Sequence, residues 1–209
     1  MQLRQKHFID SHKGATPLTV LICMACYSQW DNPTAWLYLA THGLYGLLWV
    51  LKSRTFADKQ WEQPCGIGYG LVIWGGLTLY WLTPWLICSK AIHAPPWLMG
   101  LSLSMFGLGV FFHFTSDMQK HVTLSLRSGL IHDGLWARSR NPNYFGELLI
   151  YAGFGLLAAS WAWIPALVLG AFLVAVWIPN MRKKDRSLSR YPEFAEYKKR
   201  SKLMIPFLL

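Results

Sequence analysis

The chain has 209 residues, 53% of them hydrophobic and 14% charged. Soluble domains carry about 25% charged residues, so the composition argues against a soluble enzyme. A net charge of +10 alone would suit a nucleic-acid binder, but such a protein would not carry half its residues as apolar runs.

Residues 1–13, MQLRQKHFIDSHK, are polar and of mixed charge, and no small-residue cleavage site follows the first apolar run. That run is therefore expected to stay as a membrane helix, near 16–30. Cys23 and Cys26 form a CxxC inside it, with no nearby His or further Cys pair, so they read as apolar filler and not as a metal or redox site. An Asp31-Asn32-Pro33 turn leads to a second helix near 34–51, where His42 and Tyr45 face the same way as candidate pocket residues. Glu62 lies in the following polar loop. A third helix near 66–88 carries Gly66, Gly68, Gly70, Gly75 and Gly76; a fourth near 95–115 carries Gly100, Gly107 and Gly109. Small residues of this kind let membrane helices approach closely. Two further helices are predicted near 145–160 and 162–179, turning at Ser160-Trp161. The fold class is thus all-α: a polytopic membrane protein of about six transmembrane helices, each about 17–25 residues long. Twelve Trp, nine Tyr and eleven Phe suit two membrane interfaces.

With both termini on one side, that side receives the N-terminal segment, loops 52–65 and 116–144, and the tail after 180. These hold 19 of the 20 Lys and Arg, leaving Lys90 alone opposite. Basic residues collect in cytoplasmic loops, so both termini are expected in the cytoplasm of an inner or plasma-type membrane. The basic tail MRKKDRSLSR also suits anionic lipid headgroups.

The polar residues concentrate late in the chain. Ser116-Asp117 offers a carboxylate near the membrane interface, Gly129 and Asp133-Gly134 supply turns, and Pro142 fits the first turn of a helix. Asn143 and Glu147 are four apart and share a helix face, with Tyr151 one turn further. A carboxylate at the mouth of a membrane helix is a functional candidate, although Glu147 can equally brace against Arg138 or Arg140. In the tail, Arg182, Lys183, Lys184 and Arg186 can receive phosphates, and Tyr191 and Tyr197 can stack or hydrogen-bond; the bland alternative is an anchor. No GxGxxG, Walker, HExxH, GxSxG or zinc spacing occurs, and no metal site is expected.

The order Ser116-Asp117, Arg127, Gly134-Leu135-Trp136, Asn143 to Glu147, and Phe194-Ala195-Glu196-Tyr197 through Ile205-Pro206-Phe207 resembles the C-terminal half of the steroid 5-alpha-reductase family. The resemblance covers roughly 113–209 and extends to a bacterial branch of that superfamily of unknown function. It implies a single membrane domain, 1–209, with a four-helix part at 1–115 and a cofactor-binding part at 116–209, and a pocket facing the cytoplasm. It also implies NADPH as cofactor, with Asp117, Arg127, Asn143, Glu147 and Arg182 in contact; Arg186 is a phosphate candidate, and Tyr197 a stacking or hydrogen-bonding one. The substrate class it implies is an enone-like or sterol-like lipid. Related isoprenylcysteine and phospholipid methyltransferases use S-adenosylmethionine and read R-H-P-x-Y-x-G. This chain has Arg140-Asn141-Pro142-Asn143-Tyr144-Phe145-Gly146, with Asn141 in place of the His, so Arg140, Tyr144 and Glu147 are the cofactor candidates under that alternative. His113 stands where the reductases have Asn. Hydride addition leaves negative charge on a carbonyl oxygen, and Tyr45 helped by Glu62 is the candidate donor. A third reading is a non-enzymatic lipid-binding or assembly subunit. Substrate identity and oligomeric state are not readable.

Overall fold

The structure is a computed structural model and describes residues 2–208. Among these residues it is helical, with two isolated β-bridges and no strand. Helix α1 spans Gln5–Cys26. Helix α2 runs over 33–55 as Pro33–Tyr38, a π-helical turn Leu39–Gly43 and Leu44–Thr55. Helices α3 (Ile67–Ser89), α4 (Pro96–Leu126) and α6 (Trp163–Leu188) are long and apolar enough to cross a membrane. Helix α5 is Pro142–Leu156 and α7 is Phe194–Arg200. Leu71, Val72, Leu167 and Val174 on the long helices are more than 60% exposed. Such apolar outer faces are matched by hydrocarbon and not by water. The chain is an all-helical membrane protein.

Three helices extend well beyond their expected limits, α6 running to Leu188 and not ending near 179. Helix α1 starts at Gln5 and not near 16, because His12 and Lys13 are buried inside the fold. Helix α4 continues past 115 to Leu126, since no Pro or Gly interrupts the sequence between Gly109 and Gly129.

The chain divides into two compact units, 1–106 with 152–168, and 107–151 with 169–209. In the first unit, prolines decide how the helices dock. Pro17 has no N–H to give the Lys13 carbonyl one turn back. That carbonyl faces Gly46 of α2 so closely that a Cβ at Gly46 would lie 2.2 Å from it, and Pro17 itself packs on Gly43. Pro84 likewise cannot donate to the carbonyl of Tyr80, and the Tyr38 hydroxyl donates there instead, at 3.4 Å. At one end of the unit Asn32 caps α2 through Thr34 N and Ala35 N, and donates to the Ile92 carbonyl at 3.1 Å. Thr34 Oγ1 accepts from Ala94 N at 2.8 Å, so this turn and the segment before α4 are stitched together. At the other end Arg4 bridges to Pro64, with backbone bonds from Gln5, Lys6 and Cys65 alongside.

In the second unit a Cβ at Gly146 would meet His113 N at 2.4 Å and the Gly109 carbonyl at 2.6 Å, so the absent side chains set the approach of α5 to α4. Gly134 takes φ +54 beside the Gln119 side chain, whose Oε1 accepts from Leu135 N at 3.1 Å. The tail then returns along the loop: Ser139 and Lys202 form a parallel bridge, with Arg140 N donating to the Lys202 carbonyl at 2.8 Å.

Candidate functional site

Two buried polar centres result, one in each unit. In the second unit, Pro142 starts α5 so that Asn143, Tyr144 and Glu147 occupy its first two turns. His113 of α4 reaches the carbonyl of Asn143 with Nδ1 at 3.1 Å. A carbonyl only accepts, so Nδ1 carries the proton. His113 Nε2 lies 4.0 Å from Asp117 Oδ2, one turn along the same helix, and both side chains are buried. The structure therefore brings Asp117, His113 and Asn143 together. Two buried acceptors here, Asn141 Oδ1 and Asn143 Oδ1, have no hydrogen-bond partner among the described residues. Tyr144 packs its ring against Trp177 of α6, centroids 5.5 Å apart.

Below this centre a clamp ties loop, α6 and tail. Arg140 Nε donates to both Asp185 oxygens at 3.1 and 3.0 Å, and its Nη1 to the Ser201 carbonyl at 2.7 Å. Lys184 donates to the Arg140 carbonyl at 2.6 Å and lies over the Trp136 ring. Ser139 Oγ donates to the Met204 carbonyl at 2.6 Å, and Asn141 Nδ2 to that of Leu203 at 2.8 Å. The Tyr197 hydroxyl donates to the Trp136 carbonyl at 2.6 Å. Burial pushes that phenol upward from its ordinary pKa, so it stays a donor. Arg140 and Tyr197 thus hold the backbone of the loop that delivers Asn141 to Asn143. Arg127 pairs with Asp133 at 3.6 Å on the exposed surface, and Arg182 and Arg186 are exposed, one turn apart on α6.

In the first unit Tyr45 is fully buried in α2. Its ring lies 6.5 Å from that of His42 and 6.2 Å from Trp49 and Phe154. His42, on the π-helical turn, is 2.7 Å from the Tyr38 hydroxyl through Nδ1 and stacks on Phe154 at 4.4 Å. Lys13 of α1 places its ammonium 4.3 Å from the centre of the Tyr45 ring and 4.7 Å from that of Trp49. His12 stacks on Trp81 at 4.4 Å, edge-on to Trp74. Glu62 sits elsewhere in this unit, in ion pairs with Arg4 and with Lys6 at 2.6 Å. The hydrogen bond from Lys6, reinforced by Arg4, holds its carboxyl below the ordinary range. With Asp10, Trp49, Lys52 and Trp61 it lines a pocket open to solvent. Lys13, Tyr38 and Asp185 were not singled out from the sequence. A buried cation is visible there only if the aromatic rings that cover it, on another helix, are known.

An all-helical membrane protein with buried ionisable and amide groups, and no soluble nucleotide-binding fold, is the class so defined. Residues 73–201 match the family model described as "Protein of unknown function (DUF1295)", so the chain belongs to that family, within the steroid 5-alpha-reductase-like superfamily. It is 26% identical to the steroid 5-alpha-reductase DET2 of Solanum lycopersicum, over 97% of this chain and 86% of that protein. It is 30% identical to 3-oxo-5-alpha-steroid 4-dehydrogenase 1 of Mus musculus over 57% of this chain, with a similar match in Rattus norvegicus. The aligned region spans about half the length of the two rodent relatives.

Proposed function

We propose that the protein is a membrane oxidoreductase that saturates a carbon–carbon double bond conjugated to a carbonyl in a steroid-like lipid, with NADPH as cofactor. The observation that carries the reading is the match to a steroid 5-alpha-reductase over 97% of the chain, not over one segment. The second unit supports it chemically. The unpartnered acceptors of Asn143 and Asn141 fit the two N–H groups of a carboxamide such as that of nicotinamide. Asp117, Tyr144 and Glu147 would line the same site, and the exposed pair Arg182 and Arg186 would receive phosphate, with Arg127 a further cation. When bound, a reduced nicotinamide supplies the hydride. Arg140 and Tyr197 keep the loop of the second unit in place, and Tyr45 of the first is by itself a candidate donor to a carbonyl oxygen.

Six spans with both termini in the cytoplasm complete the proposal, supported by the placement of all basic residues but Lys90. Reporter fusions at Lys90 and at the tail would come out on opposite sides of the membrane; the same side for both would overturn that topology. Detergent-purified protein is expected to gain thermal stability with NADPH and to oxidise it when given a 3-oxo-4-ene steroid. Stabilisation by S-adenosylmethionine in place of NADPH would assign the protein to methyl transfer, and stabilisation by neither would leave a non-enzymatic lipid-binding role.

A further inference from the structure

The end of the first unit at which Asn32 caps α2 carries a surface that the reductase reading does not use. The bonds of Asn32 to the Ile92 carbonyl and of Ala94 to Thr34 hold turn 27–36 against the segment before α4. Trp85, near the end of α3, donates from Nε1 to the Tyr27 hydroxyl at 3.0 Å. Trp36 Nε1 donates to the Trp30 carbonyl at 2.6 Å, and the two rings stand 6.2 Å apart at 48°. Trp30 and Trp36 are 47% and 46% exposed, and Tyr27, Trp85, Trp97 and Trp163 are exposed as well. Leu79, Leu71 and Val72 continue the exposed apolar surface along α3, so the rings border the hydrocarbon. An indole at a membrane interface commonly turns its N–H to the wet side. Trp36 and Trp85 use theirs inside the protein, and what they present outward is ring surface, which attracts organic cations. The charges follow the same pattern. Asp31 is exposed and lies between Trp30 and Trp36 in the chain. Besides His93, segments 27–36 and 85–97 hold one other ionisable side chain of high charge, Lys90, with its ammonium 5.3 Å from the centre of the Trp161 ring. One carboxylate and one ammonium on an aromatic surface complement a headgroup that carries one ammonium and one phosphate.

We propose that this end of the first unit is a docking surface for zwitterionic phospholipid headgroups, the ammonium held at Trp30, Asp31 and Trp36 and the phosphate at Lys90. The rings attract an ammonium without requiring an N–H from it, so a methylated headgroup is accepted, and the carboxylate of Asp31 adds its charge. Lys90 meets the phosphate as a point charge. The acyl chains then lie along the exposed face of α3. Each contact sits at an exposed site and contributes a factor of about two to five in affinity, so selectivity comes from their combination. Headgroups gripped in this way fix the depth and tilt of the unit against one leaflet. Phosphatidylglycerol has no ammonium to offer, and the basic segments elsewhere in the chain suit it better.

The test is native mass spectrometry of the full chain in detergent, titrated separately with phosphatidylcholine and phosphatidylglycerol of the same acyl chains. Asp31→Asn should weaken the first bound phosphatidylcholine about threefold, and Trp30→Leu by a similar factor. The second variant keeps the Trp36 hydrogen bond, which goes to the Trp30 backbone. The two changes together should cost about tenfold, as separate contacts add in free energy. Phosphatidylglycerol binding is expected to stay at the wild-type level in all three variants, and unchanged thermal unfolding shows that the fold is intact. An undiminished affinity of the double variant for phosphatidylcholine overturns the assignment. So does an equal loss for both lipids, which would mark a general effect on lipid binding. Phosphocholine without acyl chains binding as tightly as the lipid would make this a site for a soluble cation, and the docking surface would be withdrawn.

Discussion

The two units bury polar groups by opposite means. In the first, Lys13, His12 and His42 sit on helices and are covered by the faces of Tyr45, Trp49, Trp81 and Phe154. In the second, Arg140, Tyr197, Ser139 and Asn141 are held by backbone carbonyls of a loop and a tail. Aromatic faces attract a cation diffusely, whereas a carbonyl fixes a donor at one distance and angle. Substitutions in the clamp of the second unit should therefore act through single hydrogen bonds, and those in the aromatic cage of the first through the packing of whole rings.

The hardest test of that contrast is Arg140→Met. It leaves the half-buried Asp185 without its guanidinium partner and should cost about 3 kcal/mol, read as thermal unfolding in detergent. Removing the carboxylate as well, with Asp185→Leu, should restore part of the loss. Next comes Gly46→Ala, whose Cβ would meet backbone and not a flexible side chain. Separating α1 from α2 should cost about 1–3 kcal/mol and displace Lys13 from Tyr45. Gly100→Ala, with nothing within 4 Å of its Cβ, is the control and should cost nothing. Tyr197→Phe strands the Trp136 carbonyl and should cost about 1–2 kcal/mol, with the chemistry of the first unit untouched. The smallest effect belongs to Glu62→Gln, at under about 1 kcal/mol for a partly exposed ion pair. Because the folded carboxyl is held below its ordinary 4.5, the wild-type contribution is complete above that pH and fades as the pH falls through the lower folded value. A Glu62→Gln variant should accordingly show a flatter stability profile in that acid range.

Much of this architecture was readable from local pattern. Apolar runs mark the cores of α3, α4 and α6, and Pro142 marks the start of α5 with Asn143 and Glu147 on it. The start of α1 was not readable, since Lys6, Asp10, His12 and Lys13 look like a solvated segment until Tyr45, Trp49, Trp74 and Trp81 are brought from elsewhere. For the same reason the ion pairs of Glu62 are not legible from spacing along the chain. Its cations, Arg4 and Lys6, come from the other end of that segment through the Arg4–Pro64 bridge. In the sequence His113 stands out only as a departure from a family pattern; its contact with the Asn143 carbonyl depends on the Gly109–Gly146 approach, which spacing along the chain does not reveal.

The wide turn at Leu39–Gly43 has a consequence for how this sequence can vary. An α-helix advances about 100° per residue, and a π turn holds one residue more than its regular counterpart. A single deletion between 39 and 43 would close the wide turn into a regular one and leave Tyr45 and Gly46 on the same helix face, whereas the same deletion within the regular turn Pro33–Tyr38 would rotate them by about 100°. The wide turn is thus the place where this helix best tolerates the loss of a residue.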